Sequence, residues 1–361
     1  MSITVGLVLV GLALLVGVLS NWIDKPDWLP TWGVLVLLVS AAVGAFVITN
    51  RAELFRNDGG SADAGDPSPS ESGIPSAVRS KMLLTYDDSS DRIVMFASHV
   101  DGTNRQKVWS DPSDVNHVKF IPESTDLVVA NTDEGSHQNY LEVVSLTGEF
   151  IRRLTYPPRG FTDTHYTVVG QSGYVYFTRQ RVVPAGEDTS VIKPYKVMRV
   201  PLNRRSPEED VSIPLVLRTI SASDDGKWIV GECYPTDGPT KMCIYNTATK
   251  SMNQVPKFGG YGLEVTISRS GRYIAFSSTA DNPYGESQVY VFDRQKSETT
   301  QISKLPGRNG HPLWSPDTEM PCLTFDHYET SEQSVYVACL KPKVQVFKAL
   351  TNAHGVAWFL N

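Results

Sequence analysis

The sequence lacks the features by which a chain binds nucleic acid or a phosphorylated cofactor. Its 33 Lys and Arg residues are outnumbered by 39 Asp and Glu residues, which gives a net charge of −6, and no run of basic residues forms a stripe. Nucleic-acid binding draws most of its affinity from basic residues that neutralise phosphates, so this composition argues against it. The sequence also has no glycine-rich phosphate loop before a helix and no Cys-x-x-Cys pair.

Charge is also nearly missing from the first fifty residues. Segments 3–19 and 32–48 are apolar, and with flanking residues each reaches the roughly twenty positions that span about 30 Å of hydrocarbon. The loop between them carries Trp22 and Trp28, which suit a membrane interface. We therefore predict that residues 1–50 form a hairpin of two transmembrane helices. A signal peptide is the alternative, but no Lys or Arg precedes the first apolar run.

A polar segment separates the predicted hairpin from the rest of the chain. Residues 57–80 are rich in Gly, Ser, Pro and Asp and nearly free of large apolar side chains. Such a segment buries too little surface to offset the entropy that ordering would cost. We therefore predict a disordered tether over residues 51–80 and a folded domain over residues 81–361.

The folded domain contains a repeat with a period of about 45 to 50 residues. The clearest copy begins with HPLWSPD at 311–317 and continues with predicted strands at 322–326, 334–340 and 344–349. A turn reverses the chain in each copy, and the alternating strand that follows buries one face. One four-stranded sheet cannot bury both of its faces, but sheets stacked radially cover each other. The predicted fold class is therefore all-β, a six-bladed β-propeller preceded by the transmembrane hairpin.

The two ends of the domain predict how the ring closes. The domain begins with three predicted strands that lack a first, and it ends with one additional strand at 356–360. Pairing of this last strand with residues 82–86 completes one blade and removes the open edge of the ring.

Residues 81–361 contain a set of short motifs: the run WSPD at 314–317, the run SDDGK at 223–227, closing strands such as RRLT at 152–155 and the DGTN turn at 101–104. In these motifs the segment resembles the TolB-like propeller family. The resemblance implies a six-bladed propeller and work in cell-envelope protein complexes. The family's namesake carries an α/β domain before its propeller, and the two predicted spans take that place here.

The four cysteines fall on paired strands. Cys233 and Cys243 lie on the second and third strands of one blade, and Cys322 and Cys339 occupy the same two strands of another. Facing residues at a non-hydrogen-bonded position have Cα atoms about 4.5 Å apart, which is within disulfide range. We predict the disulfides 233–243 and 322–339; four buried apolar thiols are the alternative.

Two signals disagree about the side of the membrane that holds the domain. Disulfides are typical of an oxidising compartment. Arg51 and Arg56 follow the second span, whereas the loop between the spans has only Lys25, and this balance favours a cytoplasmic domain. We predict an extracytoplasmic, periplasmic-side domain on a multi-pass membrane protein, with a cytoplasmic domain as the alternative.

One residue in each blade lies at or beside the start of the innermost strand, where it would line the channel mouth. These residues are His117, His165, Thr219, Glu264, His311 and His354. Four imidazoles and a carboxylate are a donor set that binds a ligand or divalent metal. A motif that repeats with the blade also suits a structural role, in which each histidine bonds the backbone of a neighbouring blade. We favour the structural role and predict no bound metal.

The sequence therefore predicts a scaffold for protein interaction rather than an enzyme. We expect protein partners in the membrane or cell envelope, an anchor through residues 3–19 and 32–48, no nucleic acid and no cofactor. The loops 156–159, 234–237 and 179–193 are candidate contact surfaces, because loops on a rigid scaffold often carry binding. The alternative is a metal- or small-ligand-binding propeller, a receptor or an enzyme of lyase or hydrolase type, that uses the histidines at the channel mouth.

Overall fold

The structure, a computed structural model, describes residues 74–87, 93–110, 118–133, 135–136, 138–182, 196–213, 216–234, 241–256, 264–280, 285–316, 320–329 and 332–358. The predicted spans at 3–19 and 32–48, most of the predicted tether and His117 lie outside these residues. Among the described residues, no helix is long and apolar enough to cross a membrane.

The described chain forms six antiparallel sheets of four strands each. Blade 1 contains β1 (Met82–Asp87), β2 (Val94–His99), β3 (Gln106–Ser110) and the last strand, β24 (His354–Trp358). Blade 2 contains β4 (Lys119–Phe120), β5 (Leu127–Asp133), β6 (Gln138–Val144) and β7 (Phe150–Arg153). Blade 3 contains β8 (Phe161–Val169), β9 (Tyr174–Arg181), β10 (Lys196–Pro201) and β11 (Glu209–Asp210).

The remaining three blades follow the same order. Blade 4 contains β12 (Val216–Ala222), β13 (Trp228–Tyr234), β14 (Lys241–Asn246) and β15 (Ser251–Gln254). Blade 5 contains β16 (Val265–Ile267), β17 (Tyr273–Ser278), β18 (Gln288–Asp293) and β19 (Glu298–Gln301). Blade 6 contains β20 (Arg308–Trp314), β21 (Cys322–Glu329), β22 (Glu332–Cys339) and β23 (Gln345–Thr351). The all-β, six-bladed prediction is confirmed.

The ring closes by pairing the two ends of the domain. Strand β24 runs antiparallel to β1, with Trp358 opposite Leu83 and His354 opposite Tyr86. The closing strand therefore begins two residues before the predicted start at Val356. Neighbouring innermost strands contact each other around the whole ring, including β20 with β24 and β24 with β4.

Each seam between consecutive blades holds its own apolar cluster. Leu84 and Met95 of blade 1 pack with Phe120 and Leu127 of blade 2, and five similar clusters fill the other seams. Burial of one such side chain contributes about 1.5–3 kcal/mol relative to exposure. The blades thus stabilise one another, because each sheet has two apolar faces that only the neighbouring blades can cover.

A short segment before β1 belongs to this packing. Helix α1 (Ser76–Arg79) is a single turn, and Ile74 and Val78 are buried in the cluster between blades 6 and 1. The packed domain therefore extends to residues before 81, into the last part of the segment predicted as tether.

Candidate functional site

A cavity of about 460 Å³ lies at the centre of the ring, lined by the innermost strands of all six blades. This cavity is the propeller's central channel. Its volume falls in the range of about 300–1,000 Å³ in which ligand sites are usually found.

Strand pairing aligns the six innermost strands residue by residue. The last residue of each of these strands pairs with the neighbouring strand of its own blade. The residues one position earlier encircle the cavity and are here called the belt: Lys119, Val168, Ser221, Thr266, Leu313 and Ala357. Within the belt, only Lys119 carries a charge.

Lys119 is a channel residue that sequence reasoning missed. No hydrogen bond or ion pair joins its ammonium to any residue that the structure describes. Although Lys119 keeps some accessible surface inside the channel, the surrounding protein desolvates the charged form and lowers the pKa of Lys119 to about 8. The sequence feature that could have identified Lys119 is a lysine between the apolar residues Val118 and Phe120 at the start of a strand.

His311 and Glu264 form an ion pair across the seam between blades 5 and 6. The His311 Nε2 atom lies 2.9 Å from Glu264 Oε1, and the backbone N–H of His311 donates to the other carboxylate oxygen. Ser277 Oγ also donates to Glu264 Oε2, at 3.2 Å. His311 lies at a β-bulge with φ of 50°, a left-handed conformation that is uncommon for a residue other than glycine. The bulge aims this imidazole at its partner.

The two partners shift each other's pKa in opposite directions. Burial alone would lower the pKa of His311, but the hydrogen bond and the charge of Glu264 outweigh burial and raise it. Burial alone would raise the pKa of Glu264, but the bonds from His311 outweigh burial and lower it. The pair is therefore an imidazolium and a carboxylate over a wider pH range than either group alone would allow.

His354 lies in the next seam, between blades 6 and 1. Its Nδ1 atom is hydrogen-bonded to the Gln333 side-chain amide and lies 3.3 Å from Asp326 Oδ2, and its ring stacks on Tyr86 with 4.3 Å between the centroids. The N–H of Gly355 donates to Asp326 Oδ1 at 2.9 Å. Asp326 is only 2% exposed, and burial raises its pKa to about 7 despite the opposing charge of His311 and the bond from Gly355.

The structure brings some of the predicted mouth residues together and separates others. His165, Thr219, Glu264 and His311 line the cavity, whereas His354 is absent from its lining and His117 is not described. When the innermost strands are aligned at their last residues, His165 and His354 lie one position earlier than Thr219 and His311 do. The hydroxyl of Thr219 is buried without a hydrogen-bond partner among the described residues.

The structural role predicted for these histidines needs a correction. We expected each to bond the backbone of a neighbouring blade, but His311 and His354 bond side-chain carboxylates there. A backbone carbonyl in a sheet is already hydrogen-bonded to the adjacent strand. The side chains of Glu264 and Asp326 are not part of that hydrogen bonding and can turn toward a neighbouring blade. Within the described residues, no group of three or more His, Cys, Asp or Glu side chains is placed to hold a metal ion.

Both cysteine pairs are disulfide-bonded in the structure, in different registers. Cys322 and Cys339 are directly opposite on β21 and β22, with Cα atoms 4.1 Å apart. Cys243 is opposite Gly231 rather than Cys233, so this second disulfide is diagonal and its Cα atoms are 5.7 Å apart. Each disulfide links the second and third strands of its blade.

The exposed large apolar side chains of the described residues all fall within residues 150–161. Phe150 is 64% exposed, Ile151 41%, Tyr156 49% and Phe161 37%. Two of them lie on β7, the outer strand of blade 2, and the others lie in and just after the loop to blade 3. We call these four residues the 150–161 surface.

Arginines surround Tyr156 on this surface. The guanidinium of Arg204 lies 4.0 Å from the centre of the Tyr156 ring, and that of Arg153 lies 4.7 Å from it. The backbone N–H of Tyr156 donates to Glu208, which is ion-paired with Arg179. The ring is therefore held by cation–π contacts and a fixed loop while half of its surface faces solvent.

Comparison with known proteins identifies the fold. No protein-family model matches the chain, and no curated protein matches its sequence. TolB from Acinetobacter baumannii is similar in structure, with a TM-score of 0.56 and 12% identity over 78% of this chain and 67% of that one. A protein from Agrobacterium tumefaciens assigned as TolB has a TM-score of 0.53 and 14% identity over 76% of this chain and 91% of that one. The chain thus has the TolB-like six-bladed propeller fold, as predicted.

Proposed function

We propose that this protein is a membrane-anchored propeller that acts as a protein-interaction scaffold in a cell-envelope complex, without enzymatic activity of its own. The observation that carries the proposal is the 150–161 surface, where the exposed large apolar side chains of the described chain are concentrated. Contiguous exposed apolar surface marks interaction sites, and we take these four side chains, which are close in the sequence, as parts of one such surface.

The chemistry of this surface suits a protein partner with an acidic contact surface. Tyr and Arg are enriched among the residues that dominate binding energy at protein interfaces. Here Tyr156 lies between Arg153 and Arg204, and Arg159 and Arg205 are exposed nearby in the chain. A partner that brings carboxylates to these arginines and an apolar group to the Tyr156 ring satisfies both features.

The membrane anchor is part of the proposal and rests on the apolar segments 3–19 and 32–48. The two disulfides support an extracytoplasmic propeller, because cytosolic proteins seldom keep such bonds. Intact-mass analysis after alkylation under non-reducing conditions tests the compartment. We expect no modified cysteine in protein isolated from its native membrane, and four modified cysteines would count against an extracytoplasmic domain.

Metal binding at the channel mouth gains no support from the imidazoles of His311 and His354. The His311 ring is bonded to Glu264, and His354 is stacked on Tyr86 in a seam outside the cavity lining. Both rings are already committed to contacts within the domain.

The scaffold proposal is tested by purifying the full chain from its native membranes with and without an intact 150–161 surface. We expect a partner in stoichiometric amount with the parent chain and its loss from the variant Phe150→Ser/Tyr156→Ala. The exposed double variant Lys296→Ala/Lys304→Ala is the control and should keep the partner. Equal recovery with both variants, at unchanged thermal stability, would reject this surface as the docking site.

A further inference from the structure

Of the charged side chains that the structure describes around the channel, all but one are paired. Arg269 donates from both Nε and Nη2 to Asp224 Oδ2, the closer contact being 2.5 Å, and His311 is paired with Glu264. All four side chains line the cavity, and so does Lys119. Among the described residues, each channel carboxylate is thus paired with its own cation, and no carboxylate is paired with Lys119.

The surroundings of Lys119 make this lack of a counter-ion costly. Its fellow belt residues are apolar or carry only hydroxyl groups, as in Val168, Ser221, Thr266, Leu313 and Ala357. A cation drawn out of bulk water without a partner is destabilising, and buried charges in proteins are ordinarily paired. Leucine or valine at position 119 would complete an uncharged belt without that cost, so the lysine has no evident structural benefit.

We propose that the channel binds a small anionic molecule, a carboxylate or a phosphate, and that the ammonium of Lys119 is its counter-ion at the belt.

Three observations fit such a ligand. The cavity of about 460 Å³ has room for a molecule of metabolite size. The hydroxyls of Ser221 and Thr266 share the belt with Lys119, and Ser221 Oγ, which accepts from the Ile267 N–H at 3.1 Å, keeps its own proton to donate to an anion's oxygen. The other channel cations, Arg269 and His311, are held by their own carboxylates, so the anion's charge is directed to Lys119.

Thermal unfolding of the full chain in detergent at pH 7 tests the proposal, with inorganic phosphate and succinate as probes at constant ionic strength. A ligand that binds only the folded protein raises the unfolding temperature with its concentration. We expect a saturable rise with at least one of the two anions and none with uncharged succinamide. The anion that acts at the lower concentration separates phosphate recognition from carboxylate recognition.

The variant Lys119→Met removes the proposed counter-ion and keeps the length of the side chain. We expect it to unfold at a higher temperature than the parent chain without ligand and to bind the active anion at least tenfold more weakly. Lys304→Met makes the same charge change at an exposed position outside the cavity and should leave anion binding unchanged.

Lys119→Gln provides a second test if the methionine variant does not fold. Either variant that keeps the anion-dependent rise of the parent chain would overturn the proposal. A parent chain that shows no saturable rise with phosphate or succinate would overturn it as well. Loss of the rise in Lys304→Met would show a general charge effect rather than a site at the belt, and would also reject the proposal.

Discussion

Two neighbouring seams of the ring each hold a histidine against a carboxylate from the adjacent blade. In the seam between blades 5 and 6, His311 meets Glu264 at the channel wall. In the seam between blades 6 and 1, His354 meets Asp326 in the interior. The residue types are alike, but the pKa of Glu264 is lowered while that of Asp326 is raised to about 7.

Burial raises the pKa of both carboxyls, and the hydrogen bonds that oppose burial explain why the two shifts differ in direction. Glu264 accepts from the His311 backbone, the His311 ring and Ser277, and these bonds outweigh its partial burial. Asp326 accepts one short backbone bond, from Gly355, and makes longer contacts of 3.3 Å and 3.5 Å with His354 and Tyr328. The seam that faces the channel therefore holds an ionised pair, whereas the closing seam holds a carboxyl that is partly protonated at neutral pH.

Removal of the closing strand should have the largest effect on the free energy of unfolding. It abolishes the seam between blades 6 and 1 and leaves the seam between blades 5 and 6 in place. Deletion of residues 353–361 removes His354 together with the buried side chains of Val356, Ala357 and Trp358, and it exposes the edge of β1. We expect a loss of about 5 kcal/mol or more in the free energy of unfolding. The measurement is denaturant unfolding followed by circular dichroism.

Deletion of residues 359–361 alone is the matched control, since it leaves β24 in place. It should unfold close to the parent chain. If the longer deletion unfolds like the shorter one, the ring does not depend on β24 for closure.

Two glycines allow the seams to be compared, one at the bulge of β20 and one at the bulge of β24. A Cβ atom on Gly310 would lie 2.8 Å from Glu264 Oε2, whereas one on Gly355 would lie 3.5 Å from Asp326 Oδ1. Glu264 cannot move away without giving up its bonds to His311. We therefore expect Gly310→Ala to cost about 2 kcal/mol of unfolding free energy and Gly355→Ala clearly less. Equal losses in thermal or denaturant unfolding would show that Glu264 moves freely.

The sequence predicted much of the fold but less of the site. The alternating strands and turns such as Ser223–Gly226 recur along the domain, so local patterns determined the number of blades and the closure. The pairing of His311 with Glu264 and of His354 with Asp326 depends on which side chains meet across a seam, and a single repeat carries no information about that. Bulges in β8, β12, β20 and β24 also shift the register, so alignment of the repeats did not distinguish Thr219 from His165 by their positions.

Neutral amide substitutions should separate an ionised carboxylate from a partly protonated one. Glu264→Gln removes charge-assisted hydrogen bonds with His311, which contribute about 1.5–3 kcal/mol. Asp326→Asn resembles the protonated form that Asp326 already populates at pH 7, so we expect a loss below about 1 kcal/mol. Unfolding of both variants at pH 7 measures the difference. A larger loss for Asp326→Asn would mean that Asp326 is the ionised member.

The pH dependence of stability gives the finest comparison, because the two seams should contribute slopes in different pH windows. Asp326 has a folded pKa of about 7, above its unfolded value near 3.9. Its stabilising contribution is therefore fully present below about pH 4 and is lost as the pH rises through about 7, by at most about 1.4 kcal/mol per pH unit. The lowered pKa of Glu264 gives the opposite sign, a contribution lost as the pH falls below about 4.

The variants of the two seams should therefore alter different parts of the profile. The raised pKa of His311 stabilises the fold below about pH 6.5 and loses this contribution as the pH rises through the folded pKa. Without the Glu264 charge the pKa of His311 should fall, so Glu264→Gln should flatten the decline above pH 6.5. Asp326→Asn should instead remove a decline between pH 4 and 7. Unfolding free energies of both variants, measured from pH 4 to 9 at fixed ionic strength, provide the test. Identical changes in the two profiles would contradict the assignment of opposite protonation states to the two seams.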